Sequence, residues 1–137
     1  MSRTARLFIG VTLLSVPTIV YGGITILGIL TSGVAGLAPP GLSLTAERYA
    51  LYRAGHAHAG VLLVFSLVLQ LAADHAVLPR SLAGAARVAA PLAAILLSGG
   101  FFGLAHVPAL RVLLYAGAVL LAFATLTIGV GLLRRRP

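Results

Sequence analysis

The stretch Arg53-Ala54-Gly55-His56-Ala57-His58-Ala59-Gly60 opens a run that continues from Val61 to Ala73 with Ser66 and Gln70 as its only polar side chains. About 20 residues at a rise of about 1.5 Å each cover the roughly 30 Å hydrocarbon layer of a bilayer, so the run reads as a membrane span. Histidine is costly inside such a span, which makes the same octet the first place to look for function.

Composition agrees with that reading over the whole chain. Of 137 residues, 60% are hydrophobic and 9% charged, against about 25% charged in soluble domains, and the mean hydropathy is +1.09. The chain reads as an integral membrane protein. All ten basic residues are arginine, opposed by Glu47 and Asp74 alone, for a net charge of +8. In a chain with so little polar surface this charge belongs to topology and lipid contact, and nothing resembles a nucleic-acid module. The absence of cysteine excludes disulfides, thiolate metal sites and cysteine nucleophiles.

Working outward, three further spans are expected. Leu7 to Leu30 exceeds a signal-peptide core and has no clear small-x-small cleavage site after it, so it reads as a retained first span kinked at Pro17. Thr31 to Thr45 forms a loop marked by Gly33, Gly36, Pro39, Pro40 and Gly41, and the second helix runs from about Glu47 to Ala73. Asp74 to Ala86 is expected to turn, on Pro79, Arg80 and Gly84. The third helix then covers about Arg87 to His106 with Pro91 in its first turn, and the fourth about Ala109 to Leu133. The fold class is therefore all-α, a single four-helix transmembrane bundle over residues 1–137 without internal repeat. Arg3, Arg6, Arg80, Arg87 and Arg134 to Arg136 fall on one side, and Arg48, Arg53 and Arg111 on the other, which puts both termini in the cytoplasm and the protein in a bacterial inner membrane.

That topology gathers His56, His58, His106, Arg48, Arg53 and Arg111 in one half of the membrane. His75, 17 residues after His58, lies about 25 Å away on the opposite side. His56 and His58 point about 200° apart on a regular helix and cannot share one metal ion. Either can serve a cofactor or simply bond a neighbouring helix. The small residues around them admit another helix or a flat macrocycle. A neutral imidazole is a good axial ligand for haem iron, and the arginines would match its propionates. Phe65, seven residues after His58, and Phe101 and Phe102 of the third helix could wall the pocket, or only pack. Gln70, Asp74 and His75 read as a solvated helix end, and Thr45 with Glu47 as a helix start. Glu47 and Asp74, on opposite membrane sides, cannot form an acid–base pair.

The octet, with Gly100-Phe101-Phe102-Gly103-Leu104-Ala105-His106-Val107-Pro108 closing the third helix, resembles the styrene oxide isomerase family. Members are four-helix membrane homotrimers with haem b at subunit interfaces. The iron is held by a histidine in an R-A-H-S-G-type segment, and an F-F-G-x-x-x-P-like stretch follows in helix 3. The resemblance implies that His58, followed by Ala59-Gly60, is the metal ligand, and that His56 stands at the family's arginine. It further implies that a small apolar epoxide is opened by the Lewis-acid iron and rearranged to an aldehyde. The chain departs from the family at Gly100, where a tyrosine is expected, and at Val64, where an asparagine is. Tyr21 and Tyr115 lie at roughly the depth of His58, and one of them is the expected replacement for the phenol. A haem-binding electron carrier with a second axial ligand from His56 or His106 of a neighbouring subunit, and an accessory subunit without cofactor whose histidines only bridge helices, are the alternatives.

Overall fold

The computed structural model describes residues 1–31 and 45–134; the loop residues Gly33, Gly36, Pro39, Pro40 and Gly41, and Arg135 and Arg136, lie outside the described residues. Four helices account for nearly all of them: α1 (Arg3–Leu30), α2 (Ala46–Ala73), α3 (Arg80–Leu104) and α4 (Arg111–Leu133), with a 3₁₀ turn at Pro108–Leu110 leading into α4. Each is long and apolar enough to cross a membrane. The chain is all-helical, and its length and hydropathy are those of an integral membrane protein.

Capping chemistry sets the helix starts. Ser2 Oγ accepts from Ala5 N at 3.1 Å, so α1 begins at Arg3, four residues before its apolar run. Thr45 Oγ1 accepts from Arg48 N at 3.2 Å and opens α2, with Glu47 in the first turn.

The third helix departs from expectation. It begins at Arg80, not Arg87, because the turn closes at Pro79 and the segment through Ala86 is helical. One glycine inside a helix costs only about 1 kcal/mol relative to alanine, and Ala86, fully buried, packs in the core cluster. Pro91 consequently lies deep inside α3 instead of in its first turn.

Proline has no N–H, so the carbonyl four residues earlier, that of Arg87, loses its helical donor. Gln70 of α2 replaces it: its Nε2 donates to Arg87 O at 2.7 Å. Arg87 reciprocates, with Nη1 donating to Gln70 O at 2.9 Å and Nη2 bonded to Asp74 Oδ1. Gln70 O is open to it because Asp74 N turns to Leu71 O at 3.2 Å as α2 ends. Asp74 also accepts from Ser2 N at 2.6 Å and Ser2 Oγ at 2.7 Å. The group expected to be a solvated helix end is thus a polar lock among α1, α2 and α3. Gln70 is 0% exposed and Arg87 6%; of the expected group, only His75 is exposed.

The helices form an open row. α3 packs against α4 and α2, α1 lies on α2 and barely reaches α3, α2 also meets α4, and α1 and α4 do not touch among the described residues. The core joins Leu69 and Ala73 of α2, Ala86, Ala89 and Ala90 of α3, and Ala124 and Ile128 of α4. Alanine here lets the backbones approach, and in a lipid environment van der Waals packing of that kind replaces the hydrophobic effect. The polar lock and the Val77 N to Gly131 O bond (2.8 Å) mark one end of the row, with Arg3, Arg6, Arg80 and Arg134 near it. Arg48, Arg53, His106 and Arg111 belong to the other end, where Arg48 Nε donates to Ala105 O at 3.0 Å.

Candidate functional site

At that second end α2 carries His56 and His58 two residues apart, and the helical repeat sends them to different neighbours. His56 lies over Gly23 of α1: a Cβ on Gly23 would sit 2.7 Å from His56 Cε1 and 2.8 Å from Nε2. Any larger residue at position 23 would displace the ring from this position. His58 turns to α3, where its ring meets Phe101 with centroids 4.7 Å apart and planes inclined by 35°.

His58 Nδ1 lies 2.8 Å from Ala54 O, the carbonyl one turn back on its own helix. A carbonyl oxygen can only accept, so the proton of the neutral ring resides on Nδ1 and the Nε2 lone pair is left free. Nε2 has no partner among the described residues, and the side chain is exposed on the molecule's flank. A backbone carbonyl that fixes the tautomer while the opposite nitrogen stays basic is how ligating histidines are oriented.

The other expected site residues fall around this centre in unequal ways. Phe102 covers Gly55, where an added Cβ would lie 3.0 Å from the ring, and Phe65, one face of α2 with His58, is 38% exposed. Arg53 is exposed with its guanidinium 5.7 Å from the Tyr49 ring centroid, and Arg111 is exposed at the start of α4. His106 Nε2 is 2.8 Å from Tyr52 Oη, and Tyr52, buried, also faces Phe102 at 6.3 Å. Tyr21 (73% exposed) and Tyr115 (67%) stand on α1 and α4. Those helices do not touch among the described residues.

Tyr52 is the residue that sequence reasoning passed over. Its signal was the spacing Arg48, Tyr52: two polar side chains one turn apart, placing one polar stripe at the head of α2 against the end of α3. Among the described residues no three histidine, aspartate or glutamate side chains gather where they could hold a bare metal ion. A macrocycle that brings its own four nitrogens needs only one protein ligand, so one imidazole with a free Nε2, as at His58, fits that group better than a naked ion.

Comparison with protein-family models, with curated proteins and with solved structures finds no match in any of the three.

Proposed function

We propose that this chain is a haem b-binding isomerase of the styrene oxide isomerase type, with His58 Nε2 as axial ligand and a small apolar epoxide as substrate. The observation that carries the reading is the Nδ1–Ala54 O bond, which leaves an exposed, basic Nε2 beside a flat aromatic partner, Phe101. Arg53 and Arg111, exposed at the same end, suit the propionates.

His58 would hold the haem through Nε2, and the bound group would supply Lewis-acid chemistry toward an epoxide oxygen with no net redox change. The protein's own contribution is exclusion and orientation. Phe101 against the His58 ring, with Phe65 on the same face of α2 and Phe102 packed behind on Gly55, supplies the apolar surroundings that would keep water from the reacting carbon and favour the 1,2-shift over hydrolysis. A phenol to hold the substrate oxygen comes from Tyr21 or Tyr115. They stand exposed on helices that do not touch among the described residues, which suits a homotrimer in which a neighbouring subunit presents one of them to the site. The same assembly covers His58, which a single subunit leaves exposed. Both termini face the cytoplasm, and the membrane is the bacterial inner membrane.

A haem electron carrier would draw a second histidine ligand from His56 or His106 of a neighbouring subunit, and both rings already have neighbours in this structure. His106 Nε2 is engaged by Tyr52, and His56 is seated on Gly23. The test is an absorption spectrum of detergent-purified protein from haem-replete cells. His58→Ala loses the Soret band and His56→Ala keeps it, while aryl epoxides give aldehyde with the wild type. A colourless wild-type protein would sink the proposal and leave an accessory subunit. A six-coordinate low-spin spectrum with no aldehyde would leave the carrier. Full turnover in both Tyr21→Phe and Tyr115→Phe would remove the phenol from the scheme.

A further inference from the structure

Where α1 stands off α3, the three helices α1, α2 and α3 line an open-sided cavity of about 330 Å³. None of the histidines or arginines lines it. Its wall is aliphatic apart from five hydroxyls, those of Thr12, Ser15 and Thr18 on α1, Ser66 on α2 and Ser98 on α3.

The five differ in one respect. Thr12, Ser15 and Thr18 donate to carbonyls of their own helix, Phe8 O, Thr12 O and Ser15 O, at 2.7, 2.7 and 2.6 Å. Ser66 and Ser98 are 2% and 7% exposed, and their hydroxyls have no partner. A buried hydroxyl left unpaired is costly, more so in a lipid environment where no bulk water can reach it. Each needs only a rotation about χ1 to turn toward the cavity its residue lines. An unsatisfied donor on each of two helices, about two turns apart in depth in an uncharged apolar cleft, describes a receptor for a neutral molecule whose one hydrogen-bonding oxygen meets either of them. The size is also defined: benzene fits a cavity of about 150 Å³, so roughly twice that volume admits one aromatic ring with a short side chain.

We propose that the α1–α2–α3 cavity binds a single small neutral lipophile, of the size of a substituted benzene, whose oxygen is held by one of the two unpaired hydroxyls, Ser66 or Ser98. This site is separate from His58 and does not depend on haem. Its position on the loosely packed side of α1 gives the ligand entry from the bilayer.

The probe is 4-fluorobenzyl alcohol, followed by ¹⁹F NMR on the full chain in nanodiscs, with 4-fluorotoluene as its oxygen-free counterpart. The alcohol should bind saturably and about tenfold more tightly than the toluene, the difference one net hydrogen bond makes. Ser66→Ala/Ser98→Ala should erase that preference and leave toluene affinity unchanged. This variant is expected to fold, because the hydroxyls it removes have no partner. Ala94→Phe on α3 and Ala59→Phe on α2, each filling the cavity from a different wall, should abolish saturable binding of both probes. Three results would overturn the proposal: no saturable binding to folded wild type, equal affinities insensitive to the serine variant (the serines then hold water only), or binding that survives both filling variants.

Discussion

Pro91 and Gln70 are a matched pair separated by 21 positions: the proline strips a donor from one carbonyl, and the glutamine supplies it from another helix. Leaving that buried carbonyl empty should cost about 1–3 kcal/mol, so Gln70→Leu is expected to destabilise the protein by that order. Pro91→Ala restores an N–H to α3 and should shrink the cost of Gln70→Leu. A double-mutant cycle on unfolding in detergent then gives a coupling of about 0.5–3 kcal/mol; additive effects would mean that the glutamine acts through Arg87 alone. At His58 the same kind of accounting identifies the tautomer, since Ala54 O can only accept.

The elements were legible to different depths. Bilayer thickness and apolar run length make the presence of four spans plain from sequence, and the 3.6-residue repeat separates His56 from His58. The start of α3 was not legible: Arg80 to Ala86 carries Gly84 and little apolar pattern, and its helicity follows from burial of Ala86 and from partners of Arg87 that are 13 and 17 residues earlier. The Tyr52–His106 pair, 54 positions apart, likewise depends on packing that no local pattern encodes. α1, the helix with least buried surface, is fastened at its start by Ser2 to Asp74. Burial pushes the Asp74 carboxyl up, but the hydroxyl and N–H of Ser2 with the Arg87 guanidinium outweigh it and lower the pKa from 3.8 to about 2. A depressed carboxylate contributes stability that is full above the unfolded pKa and lost as pH falls through the folded one. The α1 anchor should therefore hold above about pH 4 and release as pH falls toward 2. Spin labels at Thr4→Cys and Ser81→Cys, in a chain with no cysteine of its own, should report a lengthening distance over that window. Asp74→Asn should show the longer distance at neutral pH with no acid transition. The only other side-chain carboxyl, Glu47, belongs to the opposite end of α2.

On the scale of the whole molecule, the arginines divide between two ends, and their pairing changes how much each counts toward orientation. Arg87 is neutralised by Asp74 inside the lock, which leaves Arg3, Arg6, Arg80 and Arg134 at that end among the described residues. At the other, Arg48 is tied to the α3 terminus, and Arg53 and Arg111 are exposed. The count of basic residues still favours the lock end as cytoplasmic. In that proposed orientation His58 would lie in the outer half of the membrane, with Arg53 and Arg111 near the outer headgroups. Ser81 and Ala109, both exposed, mark the two ends. In intact spheroplasts a membrane-impermeant maleimide should label Ala109→Cys and leave Ser81→Cys untouched until the membrane is permeabilised. The reverse pattern would invert the topology and put the site on the cytoplasmic side. Labelling of both in intact spheroplasts would mean dual insertion, a consequence of the outer arginines weakening the bias. In that case Arg53→Gln/Arg111→Gln, by removing two outer charges, should restore one-sided labelling of Ala109→Cys.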